Sequence, residues 1–110
     1  MITTHVLDTA IGRPARAVPV WLDVLEGETW REVGSGFTDD DGRLRTLTKP
    51  GVIQPGRYRI GFDTATYFAK GGVTAFFPVV EIQFTVSDGA AHHHVPLLLS
   101  PFGYSTYRGS

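Results

Sequence analysis

Val80-Glu81-Ile82-Gln83-Phe84-Thr85-Val86-Ser87 alternates apolar and polar side chains without a break. In an extended backbone successive side chains point to opposite faces, so this run reads as a β-strand with one dry face and one wet face. The same period recurs upstream. Val18, Val20, Leu22 and Val24 alternate with Pro19, Trp21, Asp23 and Leu25, and Tyr58, Ile60 and Phe62 alternate with Arg57, Arg59, Gly61 and Asp63. Turn-forming clusters separate the runs: Glu26-Gly27-Glu28, Asp39-Asp40-Asp41-Gly42, Gln54-Pro55-Gly56 and Ser87-Asp88-Gly89. Strands are expected at 3–8, 17–25, 29–37, 43–47, 57–63, 79–87, 91–99 and 103–108. Asp63-Thr64-Ala65-Thr66-Tyr67-Phe68-Ala69-Lys70 lacks the alternation, starts on an N-cap residue and ends at Gly71-Gly72, so one short helix is expected near 64–70. The pattern is that of an all-β sandwich or barrel.

Bulk composition narrows the function classes. A chain of 110 residues with 42% hydrophobic content supplies one core, so residues 1–110 are read as a single domain. Thirteen glycines and seven prolines suit many short strands joined by turns. With ten basic and eleven acidic side chains the net charge is −1, which builds no positive field for nucleic acid or an anionic membrane. Cysteine is absent, which removes disulfides, thiolate metal sites and a cysteine nucleophile. The N-terminal residues carry no basic-then-apolar leader pattern and no run is long enough to span a bilayer, so a cytoplasmic location is expected. Val95-Pro96-Leu97-Leu98-Leu99 is apolar on both faces, which points to a second cover over this strand, another subunit being the simplest.

Chemistry-bearing residues concentrate at few places. His5 lies in the first expected strand, and His92, His93 and His94 form a run in which 92 and 94 share a face. That pair is open to three readings: a solvated strand edge, general acid–base work near neutral pH, or a zinc site completed by His5 or a carboxylate. Arg43 follows the Asp41-Gly42 turn, where a planar, permanently charged group either faces water or grips an anion. The tail Tyr104-Ser105-Thr106-Tyr107-Arg108-Gly109-Ser110 offers aromatic surface, a guanidinium and a hydroxyl within a few residues.

Taken together these segments resemble a known family. Thr4-His5-Val6-Leu7-Asp8, Gly12-Arg13-Pro14-Ala15, the Thr38…Asp41-Gly42-Arg43 turn and Phe76-Phe77-Pro78 look like transthyretin-like 5-hydroxyisourate hydrolases. The stretch from His92 to Ser110 is similar to that family's H-x-H-x-P-L-L-L-S-P-x-x-Y-x-x-Y-R-G-S signature. The resemblance implies an eight-stranded β-sandwich of two four-stranded sheets with one short helix. It also implies a homotetramer with active sites at the subunit interface. The implied reaction opens a ring amide of 5-hydroxyisourate to give 2-oxo-4-hydroxy-4-carboxy-5-ureidoimidazoline, on the way from urate to allantoin, without metal or organic cofactor. By position, the catalytic residues it implies are His5, Arg43, His94 and Ser110. Substrate binding would fall to His5, Arg43, Tyr107, Arg108 and Gly109. The family's middle H-x-H residue is commonly aromatic and is His93 here, which should point away and be dispensable. The competing expectation is a transthyretin-like small-molecule carrier without catalysis. A purely structural sandwich would give these residues no reason to converge.

Overall fold

The alternating runs become strands in the computed structural model, which describes residues 1–110. The order is β1 (Ile2–Asp8), β2 (Arg13–Pro14), β3 (Pro19–Glu26), β4 (Thr29–Phe37), β5 (Arg43–Leu44), β6 (Gly56–Phe62), α1 (Thr64–Ala69), β7 (Val80–Val86), β8 (His93–Ser100) and β9 (Gly103–Thr106). One sheet runs β4-β3-β6-β7, antiparallel throughout. The other runs β2-β1-β8-β9, with β5 also pairing β1 and with β1 and β8 parallel. The inward sets of both sheets fuse into one core of 18 buried residues, including Val6, Leu97 and Leu99 from one side and Leu22, Ile60 and Phe62 from the other. This is a β-sandwich, as the period-two pattern requires. No helix is long and apolar enough to cross a membrane.

Several boundaries differ from expectation. There are nine strands, in sheets of five and four, because Arg13–Pro14 pairs with Leu7 and Asp8. Two residues are too few to show a period. The expected strand 43–47 stops at Leu44 because the chain turns inward to bury Leu47 at 1% exposure. Gly34 of β4 makes room for that turn, since a Cβ there would fall 2.1 Å from the Leu47 carbonyl oxygen. The expected strand 91–99 begins only at His93, the Asp88 turn extending through the Ala91 N–H, and β9 ends at Thr106. Helix α1 is capped by the Asp63 carboxylate, which accepts from the Thr66 N–H at 3.0 Å, and Lys70 is its C-cap.

The doubly apolar strand is partly explained within the chain. His93, Val95, Leu97 and Leu99 face the core, leaving His94, Pro96 and Leu98 outward. Pro96 is nonetheless buried, because the C-terminal tail folds back over it: Thr106 Oγ1 donates to its carbonyl at 2.7 Å, and Gly109 packs against its ring. Leu98 and its register neighbour Leu7 stay half-exposed.

Candidate active site

Period two assembles the site on the outer face of the five-stranded sheet. Ile2, Thr4, Val6 and Asp8 of β1 are buried toward the core, so Thr3, His5 and Leu7 lie on the other face. The parallel register sets Thr3 beside His94 and His5 beside Pro96. On the other flank of β1, Arg43 of β5 pairs with His5. Three sequence-distant segments thus meet around the first turn of the sheet.

The Asp39–Gly42 turn fixes Arg43. Asp39 Oδ1 accepts from the Asp41 and Arg43 N–H groups, each at 2.9 Å. These bonds, that from Arg43 foremost and then that from Asp41, hold the Asp39 carboxyl below its ordinary pKa, helped by the nearby Arg45 and Arg43 charges. Gly42 adopts φ +75, and its carbonyl accepts from the Val6 N–H at 2.7 Å. A Cβ at Gly42 would fall 2.4 Å from the Val6 carbonyl oxygen. Gly42→Ala therefore meets both a left-handed backbone and a backbone clash. It should lower unfolding free energy by about 2–4 kcal/mol in urea denaturation, and a loss within error of zero would refute this account of the turn.

Thr3, Arg43, Arg45, His92, His94 and Ser110 line one cleft of about 170 Å³. The Thr3 hydroxyl lies 2.7 Å from His92 Nε2 and 2.8 Å from His94 Nδ1. His92 is exposed, His94 half-buried and His93 turned into the core, so the expected division of faces is what the strand adopts. His93 is only 5% exposed, with Nδ1 3.0 Å from the Ala91 carbonyl. It serves the core, and in that sense is not dispensable.

The tail divides. Gly109 forms an isolated antiparallel bridge with His94, its N–H donating to the His94 carbonyl at 2.8 Å, and Ser110 reaches the cleft. Tyr107 and Arg108 instead line a neighbouring groove of about 220 Å³ beside Ile82–Thr85 of β7. His93 and His94 line that groove as well, so His94 stands between it and the cleft that holds Arg43 and Ser110. His5 is half-buried on the shared face, near enough for its charge to act on His94. Sequence reading missed Thr3 and Arg45. Thr3 stands two residues from His5, so period two could have found it. Arg45 stands two residues from Arg43 in the expected strand 43–47, so the same spacing could have found it, although β5 itself ends at Leu44.

The cleft holds two guanidiniums and two imidazoles, with no carboxylate side chain among its lining residues. Burial lowers the pKa of His94, and the neighbouring His92, Arg43 and His5 lower it further, against a hydrogen bond with the Thr3 backbone. A neutral imidazole beside fixed positive charge is suited to accept a proton while the guanidiniums stabilise an anion. No three His, Asp or Glu side chains converge as a metal-ligand set.

Known proteins share this arrangement of sequence and fold. Residues 2–109 match the model of the HIUase/Transthyretin family. The chain is 46% identical over 111 residues to the 5-hydroxyisourate hydrolase of Mus musculus, covering 99% of this chain and 94% of the mouse protein. It superposes on the Klebsiella pneumoniae 5-hydroxyisourate hydrolase with a TM-score of 0.87 at 36% identity, covering 99% of this chain and 97% of the other. Sea bream transthyretin in complex with thyroxine gives a TM-score of 0.92 at 32% identity, covering 98% and 93%. On the strength of the near-complete match, this chain belongs to the HIUase/Transthyretin family.

Proposed function

We propose that this protein is a 5-hydroxyisourate hydrolase that opens a ring amide of its substrate to give 2-oxo-4-hydroxy-4-carboxy-5-ureidoimidazoline. The observation that carries the reading is the joining of His94, Arg43 and Ser110 in one cleft, in a chain 46% identical to the mouse hydrolase. Fold alone does not divide hydrolase from carrier, since the transthyretin superposition is as close as the hydrolase one. The site supports the hydrolase. A carrier has no need of a half-buried neutral base set against two guanidiniums.

Amide opening needs an activated water, a stabilised oxyanion and a proton for the leaving nitrogen. His94 takes the water proton, with His5 and the Ser110 hydroxyl ordering the water and the ring. Arg43 grips the flat anionic substrate and stabilises the charge developing on the attacked carbonyl oxygen. Gly109 keeps the tail close enough for Ser110 to act. Tyr107 and Arg108, which line the adjoining groove on His94, serve as substrate-binding groups in an assembled homotetramer with sites at subunit interfaces. The half-exposed Leu7 and Leu98 beside the site, with Phe102 78% exposed and Tyr104 42% exposed at the β9 edge, support such contacts.

The test is the ultraviolet decay of 5-hydroxyisourate, generated in place by urate oxidase, with and without the protein. Acceleration is expected. Because His94 is lowered from 6.5, its neutral form persists to lower pH than a free imidazole, and the acid limb of kcat/KM should fall below pH 6.5. A limb above that value would remove His94 as the base. Absence of acceleration by a folded protein of about four times 12.0 kDa would favour a carrier.

A further inference from the structure

We propose that Thr3 is a positioning residue whose hydroxyl links His94 to His92 in a proton relay, letting His94 change from base to acid within one turnover. The inference rests on the hydrolase reading for its catalytic consequence. Its structural content stands on the three side chains themselves. A hydroxyl has one proton to donate and lone pairs to accept with. Thr3 Oγ1 lies 2.7 Å from one ring nitrogen and 2.8 Å from another, and the one proton cannot satisfy both. When it donates to His92 Nε2, it accepts from His94 Nδ1–H. When it donates to His94 Nδ1, it accepts from His92 Nε2–H. The two rings are coupled through one oxygen: the proton's place on His94 sets its place on His92.

The resting arrangement follows from what His94 must do. As a base it needs a bare Nε2, so its own proton sits on Nδ1 and points at Thr3. The hydroxyl then donates to His92 Nε2, and His92 holds its proton on Nδ1. When water gives a proton to His94 Nε2, the Nδ1 proton passes to Thr3 Oγ1 while the hydroxyl proton passes to His92 Nε2. The N–H bond at His94 Nδ1 breaks, an O–H bond forms and another breaks at Thr3, and an N–H bond forms at His92. Charge balances: His92 becomes the imidazolium, and His94 is again neutral with its proton on Nε2. That proton goes to the leaving nitrogen as the His92 Nε2 proton returns to Thr3 Oγ1 and the hydroxyl proton passes to His94 Nδ1, so no imidazolate forms and the resting state is restored.

The surroundings favour moving the positive charge outward. His94 is half-buried and faces Arg43 from β5 and His5 from β1, with Arg45 and the terminal residue Ser110 lining the same cleft. His92 is exposed to water, where an imidazolium is solvated. Thr3 itself is 4% exposed, so its hydroxyl is largely shielded from bulk water. His92 thereby gains a role as the proton's outer station rather than as a ligand or a bystander.

Thr3→Val removes the hydroxyl and keeps the shape. It should lower kcat by about tenfold to a hundredfold with KM unchanged, and Thr3→Ser should restore it. Ring ¹⁵N NMR of the unliganded protein reads the relay without turnover: both His92 and His94 should hold their protons on Nδ1 in the wild type. Should Thr3→Val fold poorly, His92→Phe at the exposed position makes the same test. There the hydroxyl is free to donate to His94 Nδ1, and His94 should move to the Nε2–H form with a comparable loss of kcat. Unchanged kcat together with an unchanged His94 tautomer in either folded variant would overturn the relay. If the wild type does not hydrolyse the substrate, the hydrolase reading fails by itself, and the tautomers still decide whether Thr3 couples the two rings.

Discussion

His94→Ala should cut turnover of 5-hydroxyisourate by about 10²–10⁴-fold while the sandwich stays folded, and His93→Ala should do the reverse. The two residues are adjacent in β8, yet the pleat sends them to opposite sides of the sheet. His94 carries its ring to the cleft beside Thr3, Arg43 and Ser110, half-buried at the surface, so its loss leaves no cavity in the core. What disappears is the base, and the guanidiniums are left to bind an anion that nothing attacks. His93 is 5% exposed, with its ring nitrogen on the Ala91 carbonyl, so truncation leaves a void and a carbonyl without its partner. That should cost about 1–3 kcal/mol in urea denaturation with kcat nearly unchanged. Stopped-flow decay of the substrate and denaturation curves on both variants separate the roles. Equal loss of kcat in both would mean that the strand face does not divide them.

Much of this fold is legible from side-chain period alone. The runs at Val18–Leu25, Arg57–Asp63 and Val80–Ser87 became β3, β6 and β7 within two residues at each end, because each has one face against the core and one against water. The pattern fails where pairing is too short to alternate, as at Arg13–Pro14. It fails again where a long-range contact overrides it, as when Leu47 leaves the β5 direction to fill space beneath Gly34. The site shows the same division. His92, His93 and His94 sorted onto faces by their spacing. That Arg43 would sit opposite His5 required the Asp39 turn and the β1–β5 pairing, which no local pattern contains. The tail was the least legible. Its composition suggested chemistry, but only the bridge between Gly109 and His94 sends Ser110 to the cleft and leaves Tyr107 and Arg108 in the adjoining groove.

That bridge makes Gly109→Val the second variant with a large expected effect. A Cβ at residue 109 would fall 2.5 Å from His94 Cδ2, 3.2 Å from His94 Cγ and 3.2 Å from Pro96 Cγ. The histidine ring cannot retreat without giving up Thr3, which holds its Nδ1 at 2.8 Å, and Pro96 is fixed in the middle of β8. The tail must therefore lift, breaking the N–H to His94 carbonyl bond and withdrawing Ser110 from the cleft. Misplacing groups around the reacting atoms by about 1 Å can cost about 10²-fold in rate, and a loss of that order is expected in kcat. Stability should change little, because the one backbone bond lost is worth about 0.5–1.5 kcal/mol and the core residues are untouched. Ser110→Ala separates two ways the tail could act. If it retains most activity while Gly109→Val loses it, the tail works by packing on His94. If both lose activity alike, the hydroxyl is what the bridge delivers. A Gly109→Val protein as active as the wild type would show that catalysis does not need the tail docked on His94.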